Sequence, residues 1–263
     1  MNSRPRFLAC ATAVSLIFIL LVSAHSQDSD AKPAYLRTGQ EITLSGSIAF
    51  TGKAPGPRTI DTSSDSVCLD EFPKLSTDWL IVNDGRVANV LVYVTNSSVL
   101  DMYSWKAPDS AVELAHRGCR YQPHVLGVQA GQTLSVVNAD ATHHNTHPTP
   151  RVNQEWNQTQ PPGAPPITLT FSRSEVPFPV RDNQHPWEKA YIAVFKHPYF
   201  SITDANGEFK IEGLPPGQYE LVAWHEEMGE KKMQLTVLPG ESKSVGFTFN
   251  HSDIREGSPL LRR

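Results

Sequence analysis

The sequence predicts an all-β fold, because it contains many short alternating segments separated by turn residues. Apolar and polar residues alternate in each segment, which is typical of strands with one buried face. Turn dipeptides such as Asp84-Gly85, Ala130-Gly131 and Asn206-Gly207 lie between them. No stretch has a helical period of useful length, so we expect a β-sandwich or a barrel.

In chain order, the predicted strands cover residues 41–50, 88–96, 124–138, 167–171, 189–195, 207–211, 218–226, 231–238 and 244–249. Residues 157–166 form a proline-rich loop. Residues 27–40 are expected to be a flexible linker and residues 251–263 a disordered tail, since neither has a strand pattern.

The composition excludes one class of partner. The chain has 263 residues, of which 39% are hydrophobic and 19% charged, with a formal net charge of −4. These are ordinary globular values. Binding to nucleic acid needs clustered Lys and Arg, and no basic run is present, so no nucleic-acid partner is expected.

Residues 1–26 have the pattern of a signal peptide. Arg4 and Arg6 precede an apolar run over residues 7–22, and Ala24 and Ser26 supply the small residues of a cleavage site. A membrane anchor is the weaker alternative, because the run is shorter than the ~20 residues that a span needs. We therefore expect a secreted or periplasmic protein with no membrane span after cleavage.

Two cysteines, Cys68 and Cys119, remain after removal of the signal peptide, which contains Cys10. In an exported chain such a pair predicts a disulfide. The two residues are 51 positions apart, and closing a loop of this length would stabilise the fold by about 4 kcal/mol. The alternative is two free buried thiols.

The segment "ITDANGEFKIEGLPPGQYELVAWHE", residues 202–226, resembles the carboxypeptidase regulatory-like and transthyretin-like modules. Similar modules accompany lyases that act on rhamnogalacturonan. A first strand typical of these modules occurs much earlier, in "LSGSIAFTGKAPGPRTI" at residues 44–60. The resemblance therefore implies a discontinuous regulatory-like, carbohydrate-binding-like β-sandwich made of residues 41–115 and 198–250.

The segment between these two parts, residues 116–197, resembles a cupredoxin, a Greek-key β-sandwich that binds copper. The run "YQPHVLGVQAGQTLSVVNADATHHN", residues 121–145, matches the cupredoxin pattern, which implies that His144 is the first ligand. In "VRDNQHPWEKAYIAVF", residues 180–195, His185 aligns with the second histidine ligand. Asp182 and Glu188 stand where the family has cysteine and methionine. Without these sulfur ligands, blue-copper electron transfer is not expected.

Two interpretations of this altered site remain open. If His144, Asp182, His185 and Glu188 converge, two imidazoles and two carboxylates suit Cu(II) or Zn(II) as a cofactor. In the other interpretation the site has decayed: Asp182 caps a turn and Glu188 is solvated. A vacated site should then be partly open to water, because buried carboxylates without a metal are costly.

We expect a protein that is not an enzyme. The sequence has no glycine-rich phosphate loop, no serine nucleophile elbow and no H-E-x-x-H motif. Two hypotheses follow: an exported metal-binding protein with a degenerate type-1 copper site, or a metal-free module that binds a polysaccharide or an envelope protein. Sugar rings could stack on tryptophans in the second case.

Overall fold

The structure is a computed structural model that describes residues 32–261. The expected signal peptide, residues 1–26, lies outside these residues. The strands β1 to β18 are, in order, Ile42–Thr51, Val82–Asn83, Arg86–Val87, Leu91–Thr95, Val112–His116, Tyr121–Gln122, Val125–Gln129, Thr133–Asn138, His144–Pro148, Gln158–Gln160, Ile167–Thr170, Glu175–Arg181, Lys189–Phe195, Phe200–Ile202, Glu208–Leu214, Gly217–His225, Gly229–Val237 and Lys243–Asn250.

Helices are few and short in the described part. They are the α-helices α1 (Ser66–Glu71) and α2 (Ser98–Met102) and the 3-10 helices His251–Asp253 and Pro259–Leu261. Within residues 32–261 no helix is both long enough and apolar enough to cross a membrane. The all-β prediction is confirmed.

The first sandwich consists of two sheets around the largest apolar core. One sheet has the order β15-β1-β3-β2, with β18 parallel to β1, and the other has the order β14-β4-β16-β17. Inward side chains of both sheets, such as Ile48, Val92 and Leu221, form one buried cluster. This sandwich is built from strands at the two ends of the described chain.

The second sandwich is built from the strands between these ends. One sheet has the order β10-β9-β12-β13-β7 and the other has the order β11-β8-β5-β6. Leu114, Val136, Phe178 and Ile192 belong to its core. The boundary expected after residue 115 is wrong, because it divides β5, which pairs in parallel with β8 along its whole length. The polar residues around Glu113 hide this strand in the sequence.

A third apolar cluster joins the two sandwiches. Leu91 and Tyr93 of β4 belong to this third cluster, whereas Val92 and Val94 of the same strand belong to the first core. Since alternate residues point to opposite faces of a strand, β4 is buried on both sides. This explains its uninterrupted apolar sequence and fixes one sandwich against the other.

A buried ionic group crosses the same boundary. His124 and Lys189 of the second sandwich both contact the carboxylate of Glu226, which follows β16 in the first. The Ser258 hydroxyl donates to Glu227 Oε2 at 2.5 Å. Buried charges of this kind depend on their partners, since an unpaired charge away from water is costly.

The C-terminal segment is ordered where it is described, so the expectation of a disordered tail is wrong for residues 251–261. Ile254 and Leu260 are buried in the first core. Only a few apolar residues hold this segment, and they have no strand or helix period, which is why the sequence does not show it. The linker is also held in part, because Tyr35 stacks on Trp105 with ring centroids 4.8 Å apart.

Every segment predicted as a strand contains one, but the structure differs from the prediction in two places. Residues 124–138 form two strands, β7 and β8, which separate at Ala130-Gly131 and enter different sheets. Residues 158–160 of the proline-rich loop form β10, which pairs with β9. Strands rich in His, Pro or Thr, such as β9 and β12, escape the alternating pattern.

The close contact of the sandwiches at Gly127 can be tested by substitution. A Cβ atom at Gly127 would lie 2.4 Å from the ring of Phe200, which itself stacks on Phe195. We expect Gly127→Ala to reduce the free energy of unfolding by about 2 kcal/mol through overpacking, as measured by urea denaturation. Gly56→Ala is the control, because nothing lies within 4 Å of its Cβ position. Equal stability of the two variants would contradict this packing.

The Glu226 pair predicts a pH-dependent stability. Burial raises the pKa of Glu226, but the hydrogen bond and charge of His124 and the charge of Lys189 outweigh it and hold the pKa below 4.5. Burial lowers the pKa of His124, and the contact with Glu226 raises it above 6.5 overall. The carboxylate therefore stabilises the fold above pH 4.5 and the imidazolium does so below pH 6.5.

We expect Glu226→Gln to destabilise the protein by about 3 kcal/mol, and most strongly between pH 4.5 and 6.5. The loss should shrink as pH falls through the folded pKa of Glu226 and as pH rises through that of His124. Urea denaturation at pH values below, within and above this range measures the change in the free energy of unfolding. Glu212→Gln, at an exposed pair with Lys210, should have no measurable effect. A loss that does not change with pH would contradict the prediction.

Candidate metal centre

Four strands of the second sandwich bring the candidate ligands together. His144 begins β9, and β9 pairs with β12. The loop between β12 and β13 carries Asp182, His185 and Glu188, and this hairpin is antiparallel. His116 is the last residue of β5 in the opposite sheet. The site therefore lies between the two sheets, at the end where the hairpin turns.

Asp182 fixes the conformation of the hairpin turn. Its Oδ1 accepts hydrogen bonds from the backbone N–H groups of Gln184 at 2.7 Å and His185 at 3.0 Å. Its Oδ2 accepts from the N–H of Asn145 at 2.9 Å. The expectation that Asp182 caps the turn is correct for one oxygen, while the other oxygen ties the hairpin to β9.

The Nδ1 atoms of three histidines converge on two carboxylates. His116 Nδ1 lies 2.9 Å from Glu188 Oε2. His144 Nδ1 lies 3.0 Å from Asp182 Oδ2 and 3.1 Å from Glu188 Oε1. His185 Nδ1 lies 3.2 Å from Asp182 Oδ2 and 3.8 Å from Glu188 Oε1. The four residues predicted from the sequence therefore lie in one cluster with His116. The group whose ligand atoms all lie within 4.8 Å of one another is His116, His144, Asp182 and Glu188, and it does not include His185.

The second ring nitrogen, Nε2, of each histidine contacts a residue outside the set of candidate ligands. His144 Nε2 lies 3.1 Å from Asp140 Oδ2, and His185 Nε2 lies 3.1 Å from Asp65 Oδ2. His116 Nε2 lies 2.8 Å from the hydroxyl of Thr146. Outer partners of this type orient the imidazoles of metal sites and set which nitrogen carries the hydrogen.

The cluster is closed to solvent. Asp182 is 2% exposed and Glu188 is 1% exposed, and His116 and His144 are fully buried. The decayed-site interpretation expected a solvated Glu188 and an opening to water, and the structure contradicts both. Glu188 Oε1 faces His144 Nδ1 at 3.1 Å and His185 Nδ1 at 3.8 Å. A buried carboxylate oxygen that faces ring nitrogens needs a proton or a metal ion between the two groups.

The protonation pattern points the same way. Ionised Asp140 and Asp65 only accept hydrogen bonds, so Nε2 of His144 and of His185 must carry a hydrogen. The Nδ1 atoms then face carboxylate oxygens, and each such contact needs a proton or a metal ion between the two atoms. Burial lowers the pKa of His144, but the bonds with Asp140, Asp182 and Glu188 outweigh it and raise the pKa to about 11.

The carboxylates on either side stay ionised. Burial raises the pKa of Asp65, but the bonds from Thr142, Cys68 and His185 bring it down to about 2. Burial also acts against ionisation of Asp182, and contacts with His144 and His185 nevertheless hold its pKa well below the usual range. The cluster therefore combines anionic oxygens with imidazoles that require a cation.

The spacing of the inward atoms fits a single metal ion. Ligands bound at ~2.1 Å around a tetrahedral ion lie ~3.4 Å apart. Here the distances from the Nδ1 atoms to the facing oxygens run from 2.9 to 3.9 Å. One atom each of His116, His144, Asp182 and Glu188 lies within 4.8 Å of all the others. The residues present thus fit a divalent ion.

The predicted disulfide is confirmed, since Cys68 and Cys119 are bonded. Neither sulfur is therefore a thiolate ligand. Both half-cystines nevertheless lie beside the site, Cys68 with Asp65 and His185 and Cys119 with Asp140 and His144.

His116 is the site residue that the sequence analysis missed. It lies in "ELAHRGC", outside both motifs, and on a strand whose pattern is too polar to recognise. The available signal is alternation, because Leu114 and His116 share one face of β5 and Leu114 is fully buried. Two histidines close to His144 in sequence lie outside the cluster: His143 is exposed, and His147 contacts Glu155 near the surface.

Comparisons with known proteins find both resemblances drawn from the sequence. The carboxypeptidase regulatory-like domain matches residues 180–250. Among solved structures, a methionine-to-alanine mutant of amicyanin with Cu(I) is 20% identical, covering 39% of this chain and 97% of its own, with a TM-score of 0.29. A purple cupredoxin from Nitrosopumilus maritimus is 16% identical, covering 32% of this chain and 98% of its own, with a TM-score of 0.28.

A search of curated proteins gave no match. The chain is thus an all-β protein whose residues 180–250 resemble a carboxypeptidase regulatory-like domain.

Proposed function

We propose that this is an exported, non-enzymatic protein that binds one divalent metal ion, Cu(II) or Zn(II), in its second sandwich. His116, His144 and His185 would supply Nδ1, and Glu188 and Asp182 would supply carboxylate oxygens. One observation carries the proposal: the Nδ1 atoms of three imidazoles, each held at Nε2 by another residue, face two buried carboxylates.

The donor set decides which chemistry the ion would supply. Imidazole and carboxylate suit Cu(II) and Zn(II), and Cu(II) binds more tightly in the general order of divalent metals. Both carboxylates together balance the charge of one such ion. Thiolate is missing, and thiolate is what gives blue-copper proteins their electron-transfer properties, so the proposal is metal binding and not blue-copper electron transfer.

The apo protein would hold protons where the metal binds. Since the Nδ1 atoms must lose their protons to become ligands, metal binding should release protons and weaken as the pH falls. The role of the protein chain is to hold these atoms in place and to exclude water from them.

Export is supported by the disulfide, because such bonds persist mainly in oxidising compartments. The glycan-binding alternative has less support. None of the five tryptophans is exposed: Trp224 is buried, and the other four, Trp79, Trp105, Trp156 and Trp187, are only partly accessible. An aromatic platform open to a sugar is therefore not formed by these residues.

The first test is metal titration of protein purified without a histidine tag. We expect His144→Ala to lower the affinity for Zn(II) and Cu(II) at least ~100-fold, more than the loss of an outer partner would. His143→Ala is the matched control, because it changes the exposed neighbour and should leave affinity unchanged. Competition with a chromophoric chelator measures both.

His116→Ala and Glu188→Gln extend the same titration to the residues that distinguish this site. Both substitutions should weaken Zn(II) binding, because each removes a proposed ligand. An unchanged Zn(II) affinity in His116→Ala would show that His116 is not a ligand. Wild-type protein that binds neither metal more tightly than His144→Ala would refute the proposal.

The absorption spectrum with Cu(II) tests the ligand type. We expect only weak bands in the visible region, because imidazole and carboxylate ligands lack the intense charge transfer of a copper–thiolate bond. His144→Ala should lose even these bands at the same Cu(II) concentration. An intense blue colour would show that a thiolate takes part and that the proposed ligand set is wrong.

A further inference from the structure

Two carboxylates outside the candidate ligand set each connect a histidine of the metal centre to a half-cystine. Asp140 Oδ2 accepts from the backbone N–H of Cys119 at 2.9 Å and contacts His144 Nε2. Asp65 Oδ1 accepts from the N–H of Cys68 at 3.0 Å, and its Oδ2 contacts His185 Nε2. The disulfide thus links the supports of two different imidazoles.

Asp65 belongs to the first sandwich, whereas the candidate ligands belong to the second. Asp65 lies in the connection between β1 and β2 of the first sandwich, and is 120 residues from His185 in sequence. It is also the N-cap of α1, whose residue Cys68 bonds to Cys119. In the described chain, the disulfide is the covalent link that holds this connection against the second sandwich.

The contacts of Asp65 leave little freedom for its side chain. Its Oδ2 also accepts a hydrogen bond from the hydroxyl of Thr142 at 2.6 Å, two residues before His144. Both oxygens therefore have fixed donors, and the one facing His185 can only accept. This requires the hydrogen of the neutral His185 ring to be on Nε2, which leaves Nδ1 free to bind a metal.

We infer that Asp65 is a positioning residue for the metal centre, and that the Cys68–Cys119 disulfide sets metal affinity by holding Asp65 and Asp140 against His185 and His144. The inference rests on the proposed metal binding. It assigns to the first sandwich a direct part in the site of the second.

Asp65→Asn tests the positioning role with little change in shape. Asparagine keeps an oxygen for the Cys68 N–H and is an equally good N-cap. Its amide nitrogen, placed toward His185, donates instead of accepting, so it favours a hydrogen on Nδ1 and blocks the metal. We expect ~10–100-fold weaker Zn(II) binding. Thermal unfolding of the apo protein measures the effect on folding separately.

Asp61→Asn is the matched control. Asp61 lies in the same connection, is exposed, and accepts a hydrogen bond from the backbone N–H of Ser63. Its Zn(II) affinity should equal that of the wild type. Asp65→Glu, which keeps a carboxylate, should retain more affinity than Asp65→Asn. A role of Asp65 in folding alone would not produce this order.

The disulfide is tested by Cys68→Ser combined with Cys119→Ser. We expect this double variant to lower Zn(II) affinity in the same range as Asp65→Asn. The triple variant that combines it with Asp65→Asn should lose less Zn(II) affinity than the sum of the two losses, because both changes act through the position of Asp65. Electron paramagnetic resonance of the Cu(II) form of Asp65→Asn should show one coordinated nitrogen fewer than the wild type. This second measurement keeps the test valid if the serine variant fails to fold.

The outcomes separate the two proposals. Wild-type protein that binds neither Zn(II) nor Cu(II) overturns the proposed function and this inference with it. Wild-type binding with equal Zn(II) affinity in Asp65→Asn and Asp61→Asn overturns the inference alone. Fully additive losses in the triple variant overturn the part assigned to the disulfide.

Discussion

The carboxylate of Asp182 makes the contacts on which the candidate metal centre depends. One oxygen holds the turn of the β12–β13 hairpin through two backbone N–H groups, and the other faces His144 and His185. A thiolate at this position would bind copper but would accept weaker hydrogen bonds. An ionised carboxylate at this position therefore holds the loop more firmly, and it would suit a harder metal ion than a thiolate would.

Burial then makes that interaction decisive. Several ionised or ionisable groups lie between the sheets of a sandwich with almost no access to water. Such a group is stable only if every charge is compensated, since one unpaired buried charge costs several kcal/mol. Asp140 and Asp65 complete the compensation from outside. The closed site is the strongest physical reason to prefer a functional centre to a decayed one.

The sequence predicted those parts that follow from local pattern. Strands such as β1, β13 and β16 alternate clearly, and Asp182, His185 and Glu188 are recognisable because they share one short loop with His144 nearby in a motif. His116 and Asp65 could not be found in this way. Each reaches the site only through pairing of strands or a disulfide that is distant in sequence, and no local pattern encodes that contact. The C-terminal segment escaped for the opposite reason, because isolated apolar residues such as Ile254 carry no period.

Protons or a metal ion could supply the cation of this cluster, and the contacts of the two carboxylates differ for the two cases. With a proton on each Nδ1, Asp182 Oδ2 would receive three donors, from Asn145, His144 and His185. Glu188 Oε1 faces two of the same ring nitrogens, His144 Nδ1 at 3.1 Å and His185 Nδ1 at 3.8 Å. The protons on these two nitrogens would therefore have to be shared between two carboxylate oxygens. One ion among the three Nδ1 atoms would satisfy both oxygens at once, because a metal ion accepts several ligands where a proton joins only two atoms.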